Sequence, residues 1–395
     1  MIILPKCIRG SHPFNEFLCD IAVLGVEAVE RGGQRYAIVA ARSNPRWWLI
    51  PLDNRCATSA GFEMIQPVSL FAKLAKVGAL KVAEFGPHWL LGKDTLLLSG
   101  LPELRETFDR RVSYLSFFTG TDGPHRKTTI QLMDSDGMIL GYCKMSRKSH
   151  VRNYLRNEAD MLARVKFMRL LSADIPSVIA FRDEGSATLL FTDSLKSATH
   201  VSPKVLGKDH INFLDELRRH TEYNGARMLL DDLAAQTKNF DGSLSKMMGP
   251  EWISRLTSIE LNLRPYADKI PLCLCHGDFT PWNTFLQDGR FYVFDWEYAR
   301  ADLPVGFDLV HFILATIPPS HQLRELPQVL KRLASIQFCS NEEAARRALL
   351  LSLYCHAIFY LNRLTESQST LSDWKEGPVR AALIDILLET SESCS

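Results

Sequence analysis

Between Pro271 and Glu297 the chain carries four side chains whose types and spacing belong together: His276, Asp278, Asn283 and Asp295. An apolar run, Leu272–Cys275, leads into His276-Gly277-Asp278, and Asn283 follows five residues after Asp278. Asp288-Gly289 then separates Thr284–Gln287 from Arg290–Phe294, a two-residue reversal between strand-like runs. Walking the register back from that turn sets Asn283 opposite Phe294, with Asp295 one position beyond, and opposed residues lie roughly 4.5–5.5 Å apart. An amide oxygen beside a carboxylate oxygen is a hard donor pair that suits magnesium, which takes one or two carboxylates together with phosphate oxygens and water. Asp278, on a loop loosened by Gly277, is placed to accept a proton from an incoming hydroxyl. A base, an amide five residues on and a metal-binding acid beyond a hairpin together describe phosphoryl transfer. His-Gly-Asp followed by Asn at this spacing arises by chance on the order of once per hundred thousand to a million positions.

The elements that must position these groups show in the pattern upstream and downstream. Val112–Phe118 reads as a strand, ending in the loop signal Gly120-Thr121-Asp122-Gly123-Pro124. Thr128–Met133 and Met138–Met145 flank Asp134-Ser135-Asp136-Gly137, a hairpin signal. Tyr154–Leu171 carries apolar residues at helical spacing, and Pro176–Ile179 and Thr188–Thr192 read as two more strands. Beyond Ser194 the pattern predicts helices over Ile211–Arg219, Ala226–Gln236, Glu251–Leu263, Asp308–Ile317 and Glu342–Leu364. Ser340 with Glu343 three residues on reads as a capping box for the last of them.

Residues 1–105 carry no recognisable motif. Tyr36–Ala41 and Trp47–Pro51 read as strands, Ser69–Leu80 as a helix, and Trp47-Trp48 as core. The region could be an adaptor for a protein partner, a substrate-selecting domain or an extension of the β-rich segment beyond it. The organisation expected is therefore residues 1–105 of unknown role, a β-rich segment over 106–194 and a mostly helical segment over 195–395.

Composition narrows the function class. With 46 Lys and Arg against 45 Asp and Glu, the net charge of +1 gives no electrostatic ground for binding nucleic acid. Nine scattered cysteines without a Cys-x-x-Cys pair exclude a zinc ribbon or dithiol centre and read as reduced thiols. The N-terminus lacks a charged start followed by a long apolar run. Ala348–Leu361 falls short of the roughly 18 residues a bilayer span needs. A cytoplasmic protein with no membrane span is expected.

His276-Gly277-Asp278, Asn283, Phe294-Asp295-Trp296-Glu297-Tyr298-Ala299 and Gly306-Phe307-Asp308-Leu309 resemble the aminoglycoside phosphotransferase and choline kinase superfamily. The resemblance covers residues 106–395 and is specific over about 271–312. It implies an α+β, bilobal protein-kinase-like fold that moves the γ-phosphate of ATP to a hydroxyl of a small molecule. Asp278 would be the catalytic base, His276 a structural member of its loop, Asn283 and Asp295 the magnesium ligands and Asp308 a buried organiser of backbone. Lys144, in the third strand-like run, and Glu158, near the start of the next helix, fall where a phosphate-clamping lysine and its carboxylate partner belong. Gly120 and Gly123 would mark a phosphate-covering loop that departs from Gly-x-Gly-x-x-Gly, and Phe191-Thr192-Asp193-Ser194 the hinge that meets adenine. Glu297 could take a second magnesium, an amine or a salt bridge; Trp282 could stack on substrate or pack under the loop. The alternatives are a protein Ser/Thr kinase, against which the helical stretch 200–265 argues, and a catalytically silent nucleotide-binding module.

Overall fold

The computed structural model describes residues 8, 10–41, 45–65, 70–85, 94–99, 104, 107–108, 111–197, 199–240 and 245–392. Two compact units account for the chain, one of Met1–Phe167, Ile175–Val201 and Phe285–Glu297, the other of Met168–Asp174, Ser202–Thr284 and Tyr298–Ser395.

In the first unit α1 (His12–Ala22), β1 (Gln34–Ala40), β2 (Trp47–Pro51), α2 (Arg55–Gly61), α3 (Leu70–Phe85) and β3 (Thr95–Leu98) come first. They are followed by β4 (Tyr114–Phe118), β5 (Thr128–Met133), β6 (Ile139–Ser146), α4 (Ser149–Met168), β7 (Val178–Glu184) and β8 (Ala187–Asp193). The eight strands make one sheet in the order β3-β1-β2-β4-β5-β6-β8-β7, every pairing antiparallel. Residues 34–98 thus add three strands to the sheet built by β4–β8.

The same continuity holds in the core. Phe14, Phe17 and Ile21 on one face of α1 pack in a single apolar cluster with Tyr36, Leu49, Leu115, Phe117, Ile130 and Phe191. Phe17 and Tyr36 both meet the edge of Phe117, with ring centroids 5.6 and 5.5 Å away. Trp47 is core, as expected, and Trp48 stacks on Phe118. A buried ion pair fastens α1 to the β4–β5 loop: Arg126 donates to Asp20 at 2.5 Å, and Thr128 donates to the same carboxylate oxygen at 2.8 Å.

Two boundaries differ from expectation. α4 begins at Ser149, five residues before Tyr154, so Glu158 sits near the middle of the helix rather than in its first turn. The strand expected at Pro176–Ile179 is β7, which starts at Val178 and runs on through Arg182-Asp183-Glu184. It pairs on one side only, so charged residues there cost little burial.

The second unit holds α5 (Lys208–Thr221), β9 (Tyr223–Asn224), α6 (Arg227–Asn239), α7 (Ser245–Leu263) and β10 (Pro271–Cys275). The hairpin β11 (Thr284–Gln287) and β12 (Arg290–Val293) belongs almost wholly to the first unit. After it come β13 (Arg300–Pro304), α8 (Phe307–Thr316), α9 (Pro319–Gln337), α10 (Glu342–Glu366) and α11 (Gly377–Glu392). β10 lies between β13 and β9 in a short antiparallel sheet, with Cys273 and Cys275 buried as apolar side chains. The cap of α10 is Asn341, whose side chain accepts from Ala344 N–H, and not Ser340, which has a left-handed backbone. α10 is buried through most of its middle. Among the described residues seven cysteines are free thiols, and no helix is long and apolar enough to cross a membrane.

Removing the Asp20 carboxylate leaves the buried Arg126 guanidinium uncompensated, so Asp20→Ala should cost roughly 3–5 kcal/mol in a urea titration. A loss under 1 kcal/mol would show that α1 is not an integral part of the first unit. In the second unit, burial against Phe279 and Phe312 pushes His210 down to about 4. The unfolded chain then binds protons first as pH falls below about 6.5, so stability present at pH 7 should decline steadily toward pH 4. His210→Phe should flatten that decline in denaturation midpoints measured across the range.

Candidate active site

The first unit gathers a lysine–carboxylate cluster. β6 alternates buried and half-buried positions, which turns Cys143 and Met145 into the core and Lys144 to the opposite face. The Lys144 ammonium donates to both oxygens of Glu158 at 2.5 and 2.7 Å and to Oδ1 of Asp295 at 2.6 Å. Lys127 donates to the same Asp295 oxygen at 3.3 Å and pairs with Glu297. Burial alone would pull Lys144 down, but Asp295 and Glu158 outweigh it and hold the ammonium charged. Three carboxylates, those of Glu158, Asp295 and Glu297, stand close enough to share one cation, against two ammonium groups. A net negative cluster of hard oxygens with two lysines beside it fits a divalent cation carried in with a polyphosphate.

Asp295 is delivered by the predicted reversal. Asp288 and Gly289 both have left-handed backbone, φ 51° and 78°, the two-residue geometry that matches the twist of β11 and β12. Asp295 itself has φ 70°, unusual for a residue other than glycine and a strain that the surrounding pairs hold in place. Trp296 is fully buried, with its indole N–H on Val293 O at 3.1 Å, and Asn157 of α4 donates to Glu297 O at 3.0 Å. Glu297 stands in an ion pair with Lys127.

Sequence reading missed Lys127, although register could have found it. Thr129 pairs with Lys144, so Lys127, two residues back, lies on the same face. The Gly120–Pro124 loop is tied down rather than loose. Arg126 donates to Thr119 O at 2.8 Å, Lys148 to Gly123 O at 2.6 Å, and His150 lies 2.6 Å from Pro124 O. Thr192 and Asp193 sit in β8, an interior strand, and the Asp193 carboxylate accepts from Ser177 N–H at 2.6 Å.

The second unit holds the other group. β10 ends at Cys275, and the Asp308 carboxylate, in the first turn of α8, accepts from His276 N–H at 2.7 Å and Gly277 N–H at 3.0 Å. Asp308 is therefore the organiser of backbone that the resemblance implied. Burial pushes its carboxyl up, with His276 and the two amides opposing. Gly277 has φ 83°, and a Cβ there would stand 2.1 Å from Tyr298 O, so only glycine closes this turn. His276 is fully buried and accepts from Asp278 N–H through Nδ1 at 3.2 Å.

Asp278 is held from both sides. Asn283 donates through Nδ2 to Asp278 O and to Oδ2, both at 2.8 Å, and His311 Nε2 lies 2.9 Å from Oδ1. Asn283's amide nitrogen is thereby spent, and Oδ1 is the atom it could still offer to a ligand. Trp282 keeps 47% of its surface exposed. His311 was missed in sequence; its place three residues after Asp308 on one helix puts the two on the same face.

The model of the phosphotransferase enzyme family matches residues 142–346, more than half of the chain. The chain belongs to this family. The fold is α+β, a β-rich unit and a mostly helical one, and the protein is a phosphotransferase. Solved structures that the chain is similar to include a thermostable mutant of aminoglycoside phosphotransferase APH(4)-Ia, 12% identical, with 71% of this chain and 96% of that chain covered and a TM-score of 0.48. Another is wild-type aminoglycoside 2'-phosphotransferase-IIIa in its GDP complex, 11% identical over 72% of this chain and 95% of that chain, TM-score 0.45. Choline kinase LicA from Streptococcus pneumoniae is 13% identical over 66% of this chain and 89% of that chain, TM-score 0.43. No curated protein matches the sequence.

Replacing Asp308 by Asn puts an amide N–H against one of the two backbone donors it now serves. Asp308→Asn should cost about 1–3 kcal/mol in chemical denaturation. An unchanged midpoint would mean that this carboxylate does not hold the loop.

Proposed function

We propose that the protein transfers the γ-phosphate of ATP to a hydroxyl of a small molecule, such as an amino alcohol, a sugar or a related metabolite. What carries this reading is the Lys144 ammonium, shared by Glu158 and by Asp295, two carboxylates that lie 14 and 151 residues away in sequence. A lysine so oriented is a clamp for phosphates that are not transferred, and little else needs this construction.

Asp278 would act as the base. Its carboxylate would align the acceptor hydroxyl and take its proton late, as the bond to phosphorus forms. His276 would support the loop from beneath. Asn283 and Asp295 would hold magnesium, and the donor types fit it: each offers a hard oxygen, and Asp295 stands with Glu158 and Glu297 in a cluster with a surplus of acid. When bound, the ion would neutralise charge on the nucleotide's phosphates. Lys127 would add a second positive charge for the same phosphates. Positioning and electrostatic stabilisation would supply most of the rate, since the protein forms no covalent intermediate in direct transfer. The loop at Gly120 and Gly123 would cover the phosphates, and the chain at Thr192 and Asp193 would lead to the adenine contact. Residues 1–105 would extend the small lobe, a reading supported by their share in its sheet and core.

The test is a panel of hydroxyl-bearing metabolites screened for magnesium-dependent ATP consumption, with Asp278→Asn as control. Asp278→Asn should lower turnover by about two to four orders of magnitude while the melting temperature stays put. Asp295→Ala should lose the magnesium-dependent thermal shift with ATP. Full turnover in Asp295→Ala would contradict the metal assignment, and an ATP shift without turnover on any acceptor would favour a silent binding module.

A further inference from the structure

The Asp278 carboxylate stands at the end of a chain of two imidazoles. His311 Nε2 lies 2.9 Å from Asp278 Oδ1, and His311 Nδ1 lies 3.1 Å from His356 Nε2. Phe307 packs on both rings, with centroids 6.4 Å from His311 and 4.5 Å from His356, which fixes their orientation. The far nitrogen of His356, Nδ1, is buried and has no hydrogen-bond partner among the described residues.

These contacts select one arrangement of protons. A buried N–H without an acceptor is rarer than an unused acceptor, so the His356 proton belongs on Nε2, where it is donated to His311 Nδ1. His311 must then carry its own proton on Nε2 and donate it to Asp278. The reverse chain, with His311 donating from Nδ1, strands the His356 proton on its orphaned nitrogen. With His311 neutral it also sets a lone pair against a carboxylate oxygen at 2.9 Å. A doubly protonated His311 strands the same proton. Burial, which disfavours charge on His356, points the same way.

We propose that His311 is the positioning residue for the Asp278 carboxylate, and that His356 fixes the tautomer that makes His311 a donor. The proposal rests on reading Asp278 as the base. Oδ1 is held by His311 and Oδ2 by Asn283, so the carboxylate plane is set from both ends, and each oxygen keeps a second lone pair for the acceptor hydroxyl. α8 performs both tasks from one face: Asp308 grips the main chain of the loop, and His311, one turn on, grips its reactive side chain.

Two measurements on the full chain test this. Long-range proton–nitrogen NMR on histidine-labelled protein should show His311 and His356 both neutral and protonated at Nε2; a proton on Nδ1 of His311, or a cationic ring, overturns the relay. Turnover of magnesium ATP, with water as the acceptor, should fall about tenfold or more in His311→Phe, with KM for ATP changed less than about twofold. His311→Gln, which keeps a donor, should recover much of the loss, and His356→Phe should lower kcat without raising KM. Unchanged turnover in a folded His311→Phe, or a Gln variant no better than Phe at equal stability, overturns the positioning role. A wild-type chain that consumes no ATP would sink the phosphotransfer reading, and the tautomers would still decide the relay.

Discussion

A buried ammonium cannot stay charged without partners, and that constraint shapes the first unit. Lys144 is surrounded by carboxylates from α4 and from the segment after the hairpin, and each of them is itself costly to bury alone. The strand, the helix and the return of the chain must therefore be settled together. That requirement explains why Asp295 tolerates a left-handed backbone and why Trp296 is fully buried behind it. The pairs hold a strained residue in one position, and the apolar anchor prevents it from relaxing.

The second unit solves a different problem with similar economy. A loop proposed to carry a catalytic base must be exposed enough to meet substrate and yet fixed to within fractions of an ångström. Asp308 fixes the loop's amides, Gly277 permits the close turn against Tyr298, and Phe279 sinks into an aromatic cluster with Phe213 and Phe312. Only after the backbone is secured does side-chain orientation at Asp278 become a matter of two hydrogen bonds.

Much of this was legible in the residues. The strands β4, β5, β6 and β8 followed from alternation and from Asp-Gly turns, and the reversal at Asp288-Gly289 from its chemistry, because these signals are local. α5, with its strong apolar stripe, and α10, apolar and buried through most of its middle, were also visible. α1 was not: it is short, carries Pro13 in its first turn and gains its stability from packing Phe14 and Phe17 onto a sheet distant in sequence. α9 was hidden by Pro318, Pro319 and Pro327, which read as breakers although the first two only open the helix and the third is carried within it. Lys144 and Glu158 were found because a strand and a helix adjoin in sequence. Lys127 and His311 depend on register across strands and on a helix face against a loop, which spacing shows only once the neighbours are known.

The sheet that runs from β3 through β2 into β4 has a consequence for any shortened form of this protein. A chain starting at β4 would lose the neighbour that occupies Phe117 and Phe118 and would present an open, apolar edge strand to solvent. Such a species would be prone to pair with copies of itself. The minimal soluble form of the β-rich unit is thus set by its edge, which lies far upstream of the proposed catalytic residues.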